Sequence, residues 1–192
     1  MLNLLKKTIF FLFYFLNVLN FYLKGLIIAK TKIICSVIFS NFISIIYFLK
    51  YNLLSNFSSL LDIVVVDYIN KYYNRYELTY FFWNIHYSYR LGLKLYTTQL
   101  NSILSISNYF LNANWLEREI WDMFGIKFIL HTNLNRILTD YGFKGFPLRK
   151  DFPLSGYIDI FYDNSLQIMH YLPVEFAQNM RFFNLINPWH LL

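Results

Sequence analysis

Tyr89-Arg90-Leu91-Gly92-Leu93-Lys94-Leu95-Tyr96-Thr97, read with the run from Arg75 to Tyr87 before it, decides the fold. Leu91, Leu93 and Leu95 alternate with Gly92, Lys94 and Tyr96, the period-2 pattern of a strand with one buried and one wet face. Arg75 to Tyr87 reads as its antiparallel partner, with the turn near Tyr87-Ser88-Tyr89. Working outward, Asp62-Ile63-Val64-Val65-Val66-Asp67 is short, β-branched and bounded by polar residues, as a buried strand should be. Gly25 to Val37, rich in Ile and Val, offers two more short strands. Residues 3–18 read as a helix. Ser40 to Asn52 reads as another, with Phe42, Ile45, Ile46 and Leu49 at i, i+3, i+4, i+7 spacing. Two helices among these strands make an α+β layer, a small mixed or antiparallel sheet with helices packed on one side.

The next helix, from about Asn114 to Phe124, has Asn114 as N-cap and Glu117 at the third helical position, as in a capping box. Glu117 and Glu119 suit the positive end of the helix dipole. Leu116, Ile120 and Met123 form an apolar stripe, Arg118 and Asp122 stand four apart and can pair, and Gly125 supplies the stop. Four of the six glycines fall between residues 125 and 156, and all four prolines between 147 and 188. That punctuation excludes a long helix or a regular sheet. The expected organisation is an α+β domain over residues 1–125 and an extended irregular tail over 126–192 that lies on a partner.

Composition narrows the function. Phe, Ile, Tyr, Asn and Lys supply 90 of 192 residues, while Ala, Gly, Pro and Arg supply 19, the signature of an AT-rich coding genome such as an organelle's. Much of the 57% apolar content is then mutational drift. The net charge of +6 resides in residues 1–61, which carry six lysines and no acid. Apart from the Lys6-Lys7 pair these lysines stand singly among Phe and Ile, without the Arg-rich clustering that phosphate binding favours, which argues against a nucleic-acid partner. Cys35 is the single cysteine, so this chain alone cannot build a disulfide or a four-thiolate iron-sulfur cluster. The uncharged run Thr8 to Leu23 is shorter than the ~20 residues of a membrane span and holds Asn17 and Asn20. A small membrane-anchored protein using residues 8–29 as its span and its basic flanks for lipid is the rival reading.

Catalytic and metal roles find little support. Glu117 and Glu119 lie two apart, roughly 200° around a helix, so they cannot face one substrate together. His86, His131, His170 and His190 are dispersed singly, without the spacing of a metal site. Asp140-Tyr141-Gly142-Phe143-Lys144-Gly145 lacks a phosphate-loop context and reads as a turn. Arg136, Arg149, Lys150 and Arg181, interleaved with aromatics, suit pairing with carboxylates. A free-standing enzyme using Glu117, Asp122 and His131 is the second rival.

One block carries a resemblance. Glu117-Arg118-Glu119, Asp122, Phe124-Gly125-Ile126, His131, Arg136 to Phe143 with Asp140 and Tyr141, and Pro147-Leu148-Arg149-Lys150-Asp151-Phe152-Pro153-Leu154-Ser155-Gly156-Tyr157 closely resemble the 30-kDa subunit family of respiratory complex I, called subunit 9 in mitochondrial genomes and shared with bacterial complexes. The likeness extends upstream through Val66-Asp67-Tyr68, Arg75-Tyr76-Glu77 and Asn114-Trp115. Downstream it runs through Tyr162-Asp163, Pro173-Val174-Glu175, Gln178, Arg181 and Pro188-Trp189. Asn135, Phe146 and Leu172 depart from the family pattern, which has Arg, His and Glu there.

The resemblance implies a non-catalytic subunit of the peripheral arm, in the quinone-reducing module, held against the 49-kDa subunit and neighbouring subunits on the matrix side of the mitochondrial inner membrane. It implies that NADH, FMN, the iron-sulfur clusters and ubiquinone belong to other chains and that none is bound here. The tail is then expected to wrap over the partner, with Arg136, Arg149 and Asp151 buried in intermolecular pairs.

Overall fold

The computed structural model describes residues 23–29, 32–53, 55–71, 74–181, 183 and 189. The helix expected over residues 3–18 lies outside them. The described residues up to Phe152 form one compact unit and those from Pro153 onward form a second.

In the first unit five strands form one sheet: β1 (Leu23–Ala29), β2 (Lys32–Val37), β3 (Ser59–Asp67), β4 (Tyr76–Asn84) and β5 (Tyr89–Thr97), in the order β1-β2-β5-β4-β3. The pair read from the sequence is its centre. β4 and β5 are antiparallel and in continuous register from Tyr76 opposite Thr97 to Asn84 opposite Tyr89. β2 joins β5 in parallel, and β1 and β3 close the two sides antiparallel, so the sheet is mixed. The turn spans residues 85–88, where Asn84 Oδ1 accepts the Tyr87 amide and Ser88 takes a left-handed φ of 56°.

Helix α1 (Phe42–Tyr51) buries Phe42, Ile45, Ile46 and Leu49, the four residues its spacing selects. They meet Leu91, Leu93 and Leu95 of β5, Leu78, Tyr80 and Phe82 of β4 and Cys35 and Val37 of β2 in one core. Ala113 and Ile120 of helix α2 (Ala113–Phe124) reach the same core, so both helices cover one face of the sheet. This is the α+β layer with helices on one side that the pattern predicts.

Two expectations change. β3 is an edge strand, not a strand buried on both faces: Leu60, Ile63 and Asp67 are buried while Leu61, Val64 and Val66 are exposed. A register shift between Leu60 and Asp62 lets both Leu60 and Ile63 face the core. The stretch after Gly125 also contains regular structure. Parallel β6 (Ile103–Leu104) and β7 (Phe128–Ile129) pair briefly in the first unit. In the second unit β8 (Ile158–Asp163) and β9 (Ile168–Pro173) form an antiparallel hairpin. No glycine or proline interrupts residues 158–172, so the local sequence tolerates strands where the overall punctuation argues against a sheet.

Leu93 is fully buried at the middle of the central strand. Leu93→Ala is expected to lower the unfolding free energy by about 2–5 kcal/mol, read as a lower urea midpoint. An unchanged midpoint would remove β5 from the centre of the core.

Candidate functional site

The charged block is organised by three carboxylates whose side chains are fully buried, and each fastens a different irregular segment. The first is Glu117. Its helix begins at Ala113 with Asn112 preceding it and no side-chain cap bond, so Asn114 is not the N-cap and Glu117 does not complete a capping box. Instead Glu117 points inward. Oε1 accepts the Ile106 amide at 2.8 Å and Oε2 accepts the Ser105 hydroxyl at 2.5 Å, and Ser105 and Ser107 share a further bond at 2.8 Å. His131 lies beside it, with Nε2 at 3.9 Å from Oε2. Nδ1 of that ring accepts the Asn133 amide, which places the ring proton on Nε2, facing the Asn114 carbonyl at 3.2 Å. Leu130, with φ of 63°, bends the chain just before His131. Burial pushes the Glu117 carboxyl up to about 7, against the opposing pull of the Ser105 and Ile106 donors.

Asp122 is the second. Oδ2 accepts three successive amides, Ile137, Leu138 and Thr139, at 2.7–3.1 Å, while Oδ1 accepts the Thr139 hydroxyl at 2.7 Å. Arg136 stands 3.6 Å from Oδ1. Burial pushes this acid up, but the Thr139 hydroxyl and the three amides outweigh it and hold it below the usual carboxylate range. Arg118, the expected partner of Asp122, turns away: it donates to the Asn135 carbonyl and lies over the Trp115 ring.

The third is Asp67 at the end of β3. Arg75 grips it with two bonds, at 2.7 and 2.9 Å, and reaches Asp151 at 2.9 Å with the same guanidinium. The Lys150 amide also donates to Asp67, at 2.9 Å. Burial opposes ionisation of Asp67, but the Arg75 and Lys150 bonds hold it low; the Arg75 bond lowers Asp151 as well. Arg149 Nε donates to the Phe124 carbonyl at 2.6 Å, capping the C-terminus of α2 where Gly125 adopts φ of 73°. A Cβ at Gly125 would stand 2.6 Å from the Phe146 ring, so the position needs glycine twice over. Phe146 lies between two guanidinium groups, Arg149 at 4.3 Å and Arg136 at 4.9 Å from its centroid, and edges against Trp121.

Arg136, Arg149 and Asp151 therefore find partners within their own chain. Glu119, Asp140, Tyr141, Lys150, Tyr157, Glu175 and Arg181 are exposed; Asp140 accepts the Tyr141 amide, and Arg181 lies over Phe183. Sequence reasoning missed Ser105 and Thr139 as donors to carboxylates, and missed Arg75 with Asp67 as a site. A bidentate Arg–Asp pair across eight residues carries no local periodicity, and the main-chain donors carry no sequence signal at all. Among the described residues no three His, Cys, Asp or Glu side chains converge as a metal site. Chemically the arrangement fixes loops, because each buried acid is already engaged by two or more donors of its own chain.

Arg75→Ala strips a buried carboxylate of its cation and should cost about 3–5 kcal/mol in unfolding free energy, with Arg75→Lys recovering only part because an ammonium cannot span Asp67 and Asp151 in the same way. Urea unfolding of the two variants checks both amounts. For Glu117 the folded state holds its proton more tightly than the unfolded chain does between the ordinary value of 4.5 and about 7. Stability is then full below about pH 4.5 and falls as pH rises to about 7, by at most roughly 3 kcal/mol. Thermal unfolding across that window should show this slope in the native chain and not in Glu117→Gln.

The chain matches the family model described as respiratory-chain NADH dehydrogenase, 30 Kd subunit, over residues 36–158. It is 48% identical over 150 residues to NADH-ubiquinone oxidoreductase subunit 9 of Acanthamoeba castellanii, covering 78% of this chain and 75% of that protein. It is 42% identical over 142 residues to NADH dehydrogenase [ubiquinone] iron-sulfur protein 3 of Arabidopsis thaliana, 74% of each chain. Among solved structures, the trypsin-resistant fragment of Nqo5 superposes with a TM-score of 0.53 at 24% identity, over 65% of this chain and 99% of the fragment. A chain of the membrane-bound sulfane sulfur reductase, an archaeal respiratory membrane complex, superposes with a TM-score of 0.62 at 21% identity, over 72% and 82%. The two superpositions establish the shared fold.

Proposed function

The chain belongs to the 30-kDa subunit family of respiratory-chain NADH dehydrogenase, complex I, and we propose that its part within that oxidoreductase is structural. On this reading it is a non-catalytic core subunit of the quinone module in the peripheral arm. It sits on the matrix side of the mitochondrial inner membrane and scaffolds the 49-kDa subunit and its neighbours. NADH, FMN, the iron-sulfur clusters and ubiquinone are handled by other chains of the assembly. One observation carries the proposal: Glu117, Asp122 and Asp67, the three acids of the family pattern whose side chains are fully buried, are engaged in ordering their own loops and are closed off from any substrate. The single cysteine, Cys35, is buried in the core with its thiol pushed up to about 12 by burial, an environment opposite to that of a metal-binding thiolate. Among the described residues no helix is long and apolar enough to cross a membrane. The exposed members of the block, Glu119, Tyr141, Lys150, Tyr157, Glu175 and Arg181, are the side chains we assign to partner contact.

The experiment is a native gel of mitochondrial membranes stained for NADH dehydrogenase activity, with mass spectrometry of the active band. Peptides of this chain in proportion to the other core subunits are the expected result, and their absence from the band would overturn the reading. Within the same assay Arg149→Ala, which uncaps α2, is expected to lower the amount of assembled complex while the turnover of each assembled complex stays near the native value. Normal assembly with lost turnover would instead place Arg149 in the chemistry.

A further inference from the structure

Two short strands end at one buried carboxyl. β6 and β7 run parallel, and the residues that follow them, Ser105 and Ile106 after β6 and His131 just past β7, close on Glu117 of α2. The Glu117 and His131 side chains are both fully buried, with Nε2 at 3.9 Å from Oε2. That separation is roughly 1 Å too long for a hydrogen bond. The ring instead turns its Nε2 proton to the Asn114 carbonyl at 3.2 Å and is tied through Nδ1 to the Asn133 amide at 3.1 Å. One donor thus stands between two acceptors of the same helix. We propose that Glu117 and His131 form a proton-controlled latch: when Glu117 loses its proton, the His131 Nε2–H leaves the Asn114 carbonyl for Glu117 Oε2, and the turn at residues 130–133 moves with the ring.

The surroundings set this direction. Burial holds the Glu117 carboxyl at about 7, so both of its forms are populated near neutral pH. The ionised form is met by the Ser105 hydroxyl and the Ile106 amide, and a carboxylate has room for further donors. His131 cannot answer with a second proton, because a proton on Nδ1 would face the Asn133 N–H and lose that bond, so it serves as a neutral donor. Arg118, on the same helix, is turned to the Asn135 carbonyl. Tyr80 of β4 also feels Glu117; burial and that carboxylate push its phenol well above the ordinary range, so it stays neutral. Its buried hydroxyl makes no hydrogen bond among the described residues and is the competing donor. A hinge lies beside the ring: Leu130 holds φ of 63°, a left-handed backbone that a leucine adopts only under the constraint of its surroundings. A ring displaced by roughly 1 Å to reach bonding distance therefore pulls on a turn whose shape is set by its contacts.

Nitrogen-15 NMR of the full-length chain, titrated from about pH 5 to about pH 9, tests the latch. The His131 ring is expected to stay neutral with its proton on Nε2 throughout. That proton and the Leu130 and Asn133 amides should shift together with one midpoint near 7, the midpoint of the Glu117 carboxyl. In Glu117→Gln the shift is lost. In Ser105→Ala, which removes a donor from the ionised acid, its midpoint rises by about half a pH unit or more. If Glu117→Gln fails to fold, the carboxyl-carbon midpoint of Glu117 in the native chain carries the same decision, by coinciding with the His131 midpoint or not. A second ring proton appearing on Nδ1 would make the two an ion pair, and a shift abolished by Tyr80→Phe would assign the added donor to Tyr80. A titration of Glu117 that leaves His131 and residues 130–133 unmoved would leave no latch. Each of these three results overturns the proposal.

Discussion

A carboxylate removed from water has to be saturated with donors, and that requirement organises the charged half of this protein. Asp67, Glu117 and Asp122 each lie fully buried, and each satisfies itself with main-chain amides of a segment that has no helix or strand to order it. Asp122 gathers residues 137–139, Glu117 gathers 105 and 106, and Asp67 with Arg75 holds 150 and 151. The loops are thus tied to the helix and the sheet edge by charge-assisted bonds, in place of the apolar contacts that tie α1.

Two positions show how little this arrangement asks of individual side chains. Arg118 binds the carbonyl of Asn135, an atom every residue supplies, so the side chain there is not part of the bond. At Phe146 the guanidinium groups of Arg136 and Arg149 both lie over the ring, and a guanidinium pairs well with an aromatic face.

The same saturation separates the two roles of the block. Buried Glu117 and Asp122 and half-buried Arg149 act on the fold, whereas Glu119, Lys150 and Glu175 remain on the surface. The sequence places both kinds side by side, because neighbours on a helix or turn point in different directions. Glu117 and Glu119 make the point: two residues apart on α2, one is sealed beneath Ser105 and the other is in water.

Local pattern was enough to specify the layer architecture. The period-2 run of Leu91, Leu93 and Leu95 and the 3.6-period set of α1 each mark one face for burial, and burial of the marked faces leaves few other solutions. The αL stop at Gly125 was legible in the same way, since only glycine meets that backbone without cost. Long-range packing, by contrast, put β3 at the sheet edge, because strand order depends on pairings that no local period encodes. Packing against the Ser105–Ser107 turn also set the direction of Glu117, which reads locally as a cap. The partners of Arg136, Arg149 and Asp151 emerged only in three dimensions: a carbonyl at Phe124 or a guanidinium 76 residues away leaves no mark in sequence spacing, and which acid meets which base is fixed by where the folded chain brings them.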